Sequence, residues 1–398
     1  MLYSMKKSIY PSILKNTFLF WLILFCTTTC KGQPTISTGA ENTAAYLSVL
    51  QHKKIGIVAH QASLIKENNS TIHLVDFLLR KNISIQRVFA PEHGFRGTAD
   101  AGEKISDQKD PETQLPIISL YGNNRKPTAE QLKDIDIMVF DLQDVGVRFY
   151  TYLSTLHNVM EACAENNVPL VVLDRPNPNA HYVDGPVLEA EHQSFVGLHP
   201  VPIVYGMTIG EYAQMINGEG WLANAVKCDL TVIRNLNYTH TTSYDLPVRP
   251  SPNLSNSQAV ALYPSLCLLE PTVISVGRGT DAQFQLYGHP LLPKTTFQFT
   301  PAPNFGSKSP KHDGQICYGV DLSYAPRPKQ IELKWLIDAY SLFPDKDQFF
   351  LKGFERISGV SSLRKQIEAG QSEFEIRASW NSKLEQFKEI RKKYLLYP

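Results

Sequence analysis

A chain of 398 residues that is 43% hydrophobic and 19% charged carries enough apolar material for about two ordinary domains. With 19 Phe and 18 Tyr it is neither intrinsically disordered nor a collagen-like repeat or coiled coil. Lys plus Arg number 39 against 38 Asp plus Glu, so a net charge of +1 gives no basic surface for a polyanion, and no nucleic-acid partner is expected.

In chain order, the first segment reads as a leader. Lys6, Lys7 and Lys15 precede nine consecutive apolar residues, Phe18–Cys26, and Thr27–Thr29 follow. A basic start, a short apolar centre and a polar exit describe a secretory signal over residues 1–33. The apolar run is far shorter than the about 20 residues needed to span a bilayer. Two exits fit: cleavage near Gln33, or lipid modification of Cys30, which would leave a membrane anchor. Either makes the protein exported and periplasmic, with a net charge of −3 once four lysines and no acids are removed. Beyond the leader, Cys163, Cys228, Cys267 and Cys317 stand isolated with no C-x-x-C spacing, which predicts buried free thiols and no cysteine metal site.

Residues 34–45 are small and polar, a tether. Lys54–Ala59 (KIGIVA) then predicts a strand, Ile72–Lys81 a helix and Ile85–Ala90 a second strand. Thr128-x-x-Gln131 is a capping box opening a short helix, and Asp136–Phe140 is a third strand. Tyr150–Asn166 is a long amphipathic helix and Pro169–Leu173 a fourth strand. This alternation predicts an α/β fold, a doubly wound parallel sheet with helices on both faces. Residues 176–206 are rich in Pro and Gly, and Thr208-x-x-Glu211 opens a further helix to about Asn217, which gives Glu211 a capping role. A cluster of prolines between Asp245 and Pro264 places a boundary near residue 255, dividing a first domain of residues 46–255 from a smaller α+β domain of residues 256–398, with helices at Leu333–Leu342 and Ser379–Leu395.

Open parallel sheets bind ligands beyond the carboxyl ends of their strands. Here the four predicted strands end in polar groups: His60-Gln61; Glu92-His93 with Arg96; Asp141, Gln143 and Asp144 with Arg148 and Tyr150; and Asp174-Arg175 with Asn177. Asp141 or Asp174 could simply cap the following helix or turn, but several acids and arginines at one sheet edge favour a paired, water-accessible site, since ungrouped buried charge is costly. No G-x-G-x-x-G, Walker loop, G-x-S-x-G elbow or H-E-x-x-H spacing occurs, so no nucleotide cofactor, serine nucleophile or zinc motif is expected. A carboxylate-rich, aromatic cleft in an exported protein suits glycosidic cleavage, in which one carboxyl protonates the leaving oxygen and another attacks or activates water.

The motifs FAPEHGFRG (89–97), FDLQDVGVRFYTY (140–152), LDRPNP (173–178), DGPVLE (184–189), YGMTIGE (205–211), PSPN (250–253), SVGRGT (275–280) and RKKYLLYP (391–398) resemble those of the NamZ-type exo-β-N-acetylmuramidases, from about Lys53 to Pro398. The resemblance implies a Rossmann-like N-terminal domain, an auxiliary C-terminal one, and release of terminal β-1,4-linked N-acetylmuramic acid from the non-reducing end of peptidoglycan fragments, without a cofactor. It makes Glu92 the general acid, with Phe89 and Pro91 just before it, which would shield it from water and favour its protonated form. It offers Asp144 and Glu189 as the partner carboxylate without choosing between them. Arg148 and Arg278 become candidates for the lactyl carboxylate. His93, Arg96, Asp141, Gln143, Tyr150, Asp174, Arg175, Asn177 and Asn253 are candidates for holding or orienting the sugar. The chain departs from the family pattern at Asp184, Tyr205 and Pro271, the first two expected on substrate-side loops. Two other readings remain at this level: a non-catalytic glycan-binding lipoprotein that holds muropeptides, and a metal-dependent hydrolase built on His60 and His93.

Overall fold

Five of the six residues of Lys54–Ala59 (β1) are buried, as a run containing Ile55, Ile57 and Val58 requires of a strand covered on both faces. The computed structural model to which it belongs describes residues 35–67, 70–96 and 108–398; the expected leader, with Cys30, lies outside the described residues. After β1 come a hairpin of Leu64–Glu67 (β2) and Ser70–His73 (β3), then Ser84–Ala90 (β4), Gln108–Lys109 (β5), Pro116–Ser119 (β6), Ile137–Asp141 (β7), Leu170–Leu173 (β8) and Leu230–Ile233 (β9). Apart from the hairpin they form one sheet ordered β5-β6-β4-β1-β7-β8-β9, parallel except for β5 at its edge. Numbered by themselves, the parallel strands run 3-2-1-4-5-6, the Rossmann order.

Alternation along β7 shows how the sheet is covered. Met138 and Phe140 pack into one apolar cluster, Ile137 and Val139 into another on the opposite face. The strands β6 and β9 were not expected from the sequence. The first opens on a proline and is four residues long, and the second has only one buried residue, so neither has the apolar run of a doubly covered strand. The helix expected from Ile72 starts at Leu74, because Ser70–His73 pairs with β2 and the His73 ring accepts the Val75 N–H as the cap. Both predicted capping boxes form, at Thr128–Gln131 and Thr208–Glu211.

Past residue 255 the chain adds an antiparallel sheet of Leu286–His289 (β10), Cys317–Asp321 (β12) and Gln298–Phe299 (β11), in that spatial order, and the helices Leu333–Leu342 and Glu373–Lys392. The last helix begins earlier than expected because Ser372 and Glu375 form a third capping box. Leu262, Phe349 and Trp380 from this part share one apolar cluster with Phe140, Leu153 and Tyr205. The core is therefore continuous across residue 255. The four described cysteines are free and buried.

Candidate active site

The strand order reverses between β1 and β7, the point at which doubly wound sheets receive ligands. Ala59 pairs with Asp141 there, so His60 emerges beside the Asp141–Asp144 loop. His60 is fully buried. Its Nε2 accepts the Gln143 N–H at 2.9 Å, which places the proton on Nδ1, 3.1 Å from the Tyr152 hydroxyl. Burial, followed by the charges of Arg175, His73 and His93, holds its pKa well below the ordinary value, so the ring is neutral. With both nitrogens engaged inside the protein, this ring is a brace between β1 and its neighbours.

The next strand end supplies the acid. Gly94 N–H donates to Pro91 C=O at 3.1 Å, closing a turn in which His93 takes φ 72°. Histidine is among the residues that take up this left-handed backbone most readily after glycine. The turn swings Glu92 toward the helix Tyr152–Glu165, where the Thr151 hydroxyl donates to Glu92 Oε2 at 2.7 Å. The Tyr121 hydroxyl also bonds to Glu92; burial, then the charge of Glu92 and this bond, push that phenol up to about 12.

Glu92, His93, Tyr150 and Thr151 line a cavity of about 190 Å³ whose other walls include Ser251, Asn253, Tyr263, Glu270, Arg278 and Phe284. The loop bearing Asn253 is pinned to the sheet edge: Gln61 Nε2 donates to the carbonyls of Arg249 and Pro250, and the Tyr150 hydroxyl donates to Pro250 C=O at 2.8 Å. Asn253 Nδ2 donates to Gly306 C=O, while its buried Oδ1 accepts no hydrogen bond. Of the expected site residues, then, Glu92, His93, Tyr150, Asn253 and Arg278 meet around one cavity.

The others are occupied elsewhere. Asp141 and Arg175 form a buried bidentate pair, 2.6 and 2.7 Å, between the ends of β7 and β8. Gln143 spans Asp144 C=O and Pro176 C=O. Asp174 accepts from Thr208 Oγ1, Gly210 N–H and the Tyr397 hydroxyl, tying the chain terminus to the sheet. Asn177 bridges Met207 C=O and Asn179 N–H. Arg96 pairs with Asp76, Asp110 and Glu112, away from the cavity. Arg148, expected to clamp a substrate carboxylate, is 2% exposed and donates to the carbonyls of Pro186, Val201, Ile357 and Ser358; it joins the two halves of the chain.

Neither expected partner carboxylate lines the cavity. Asp144 is buried, accepting from Gly146 N–H and the Tyr205 hydroxyl, and burial raises its pKa to about 7 despite those bonds. Glu189 lies at the surface, bonded to Lys383 Nζ at 3.0 Å. Asp184 and Tyr205, expected on substrate-side loops, are likewise buried: Asp184 holds Arg377 and Ile331 N–H, and Tyr205 holds Asp144.

The second acid of the cavity is Glu270, which belongs to none of the strand-end motifs. Arg278 Nε and Nη2 grip it, with Nη2–Oε2 at 2.5 Å, and among the described residues Nη1 makes no bond. Burial raises the Glu270 pKa, but Arg278, by charge and hydrogen bonds, and Lys311 outweigh it and hold the carboxyl below its ordinary value. One cavity thus contains a carboxyl held by hydroxyl donors and a carboxylate held by cations.

Models of the exo-beta-N-acetylmuramidase NamZ match the chain in two parts, N-terminal over residues 55–258 and C-terminal over residues 261–397. The peptidoglycan beta-N-acetylmuramidase NamZ of Bacillus subtilis is 39% identical over 388 residues, covering 92% of either chain. Two crystal structures of DUF1343 family proteins from Bacteroides fragilis superpose on the chain. One has a TM-score of 0.84 at 45% identity, over 92% of this chain and 99% of that one. The other has a TM-score of 0.77 at 27% identity, over 92% of this chain and 100% of that one.

Proposed function

Since the chain belongs to the NamZ family of exo-β-N-acetylmuramidases and is a glycoside hydrolase, we propose that it releases terminal β-1,4-linked N-acetylmuramic acid from the non-reducing end of peptidoglycan fragments, with Glu92 as general acid and Glu270 as the second carboxylate. The pairing of these two acids in one cavity supports the reading. Glycosidic cleavage needs one carboxyl that delivers a proton to the departing oxygen and one ionised carboxylate that meets the positive charge developing at the anomeric carbon. Glu92 sits among hydroxyl donors, and Glu270 faces Arg278 and Lys311.

The remaining lining suits a muramic ring. Arg278 uses only one side of its guanidinium on Glu270, leaving Nη1 for the lactyl carboxylate that distinguishes muramic acid from glucosamine. Asn253 Oδ1, buried and without a donor, suits a sugar hydroxyl or the acetamido N–H. Tyr150, Tyr263 and Phe284 supply aromatic walls. Residues 1–33 would carry the enzyme out of the cytoplasm to its substrate.

Incubation with a chromogenic β-N-acetylmuramide tests the proposal. Release of the chromophore together with free N-acetylmuramic acid is expected, and no release from the corresponding N-acetylglucosaminide. Binding of the muramide with no chromophore released would make the protein a glycan-binding module instead.

A further inference from the structure

A second depression lies on the far side of the acid. It has about 530 Å³ of space between the 123–126 loop and the 193–198 turn, closed on itself by the Ser194–Gly197 bridge. It shares a wall with the reactive cavity: Val196 lines the cavity, and its neighbour Phe195 lines the groove. Tyr121, whose hydroxyl bonds to Glu92, packs its ring against Phe195 at 6.2 Å. Glu92 and its support therefore stand between the two spaces.

A general acid must sit at the glycosidic oxygen, the atom joining the sugar that is cleaved off to the sugar that leaves. If the terminal sugar occupies the cavity, the leaving saccharide has to extend past Glu92 to its other side. The groove there has the chemistry for it. Asn123, Asn124, Asn158 and Gln193 line it, and among the described residues no carboxylate does. The Arg125 guanidinium carbon sits 4.4 Å from the Phe195 ring centroid, a cation–aromatic pair that offers a surface for a pyranose face. Among the described residues, the Arg125 side chain bonds only through Nε, to Gly122 C=O, and makes no ion pair, whereas neighbouring Lys126 is taken by Glu161 and Glu165. Both terminal nitrogens of Arg125 are thus open to an anion.

We propose that this groove is the leaving-group subsite: it holds the departing glycan, with its amides on the first sugar and Arg125 on the carboxylate of the muramic residue that follows. The inference rests on Glu92 acting as the acid of a muramidase. It makes the enzyme better suited to glycan chains than to small muramides.

Arg125 and Gln193 are exposed, so Arg125→Ala and Gln193→Ala should leave folding intact. Each variant is assayed on an aryl β-N-acetylmuramide, which has no sugar to place in the groove, and on the alternating tetrasaccharide that begins with N-acetylmuramic acid. With Arg125→Ala, kcat/KM on the tetrasaccharide is expected to fall about tenfold through KM, with a smaller fall for Gln193→Ala, while the aryl glycoside is cleaved as before. Variants that lose nothing on the tetrasaccharide, or that lose equally on both substrates, would overturn the groove and leave the muramidase reading standing. A wild-type protein that cleaves neither substrate would overturn both.

Discussion

The Thr151 hydroxyl donates to Glu92 Oε2 at 2.7 Å, joining the turn after β4 to the first turn of the helix after β7. Two strands separated by β1 are brought to one carboxyl group by that bond. Thr151→Val removes the donor and keeps the shape. A single neutral hydrogen bond corresponds to roughly a 3- to 10-fold loss in kcat, with KM little changed and Thr151→Ser near wild type. Steady-state kinetics on a chromogenic muramide provide the check; an unchanged kcat in the valine variant would remove Thr151 from the account.

Arg148 and Arg278 should separate in opposite ways. Arg148→Met leaves the carbonyls of Pro186, Val201, Ile357 and Ser358 without their donor, so urea unfolding should show a loss on the order of 3 kcal/mol. Arg278→Ala should instead raise KM for muramides, with a smaller effect on the midpoint. A stable Arg148→Met protein with impaired substrate binding would restore Arg148 as a substrate clamp.

Asp144 and Asp174 should each draw stability down as pH rises from about 4 to about 7, while the buried, neutral His60 acts in the opposite sense. Burial raises the Asp144 and Asp174 pKa values from 3.8 to about 7 in the native protein, so between those values the native state holds protons that the unfolded state has released. The unfolded state thus binds fewer protons, and these two groups lower stability with rising pH through that window. Asp144→Asn should remove the Asp144 share of this dependence, so the variant gains on the unaltered protein as pH rises, because the bonds from Gly146 and Tyr205 both fall on one oxygen and an amide can accept them. Melting temperatures of the two proteins across pH 4 to 8 test this, and a difference between them that does not change with pH would count against it.

The parts of this architecture legible in the sequence are those with a local signature. β1 and β7 could be read because strands buried on both faces are continuously apolar. The turn carrying Glu92 was marked by Pro91 and Gly94, and the helix starts by their capping residues. The misreadings share one cause. Arg148, Arg175 and Asp174 follow strand ends, as site residues do, but their partners come from distant positions such as Ser358, Asp141 and Tyr397. Charge at a strand end reads alike whether it faces a ligand or another loop. Glu270 escaped for the converse reason: it follows an apolar stretch, Leu266–Leu269, and only the folded chain brings it to the cavity that holds Glu92.

Glu270→Gln tests that assignment. With the ionised carboxylate gone, turnover should fall on the order of a hundredfold. Arg278, released from its partner, should still bind a muramic acid inhibitor. Near-wild-type turnover in this variant would reduce Glu270 to a counter-ion for Arg278.

The most direct measurement is the turnover of Glu92→Gln on a chromogenic β-N-acetylmuramide, beside its melting curve. The amide can still accept the Thr151 hydrogen bond but has no proton to give, so kcat should drop by at least about a hundredfold while the melting temperature stays close to that of the unaltered protein. A variant that folds normally and turns over at the wild-type rate would contradict the central claim.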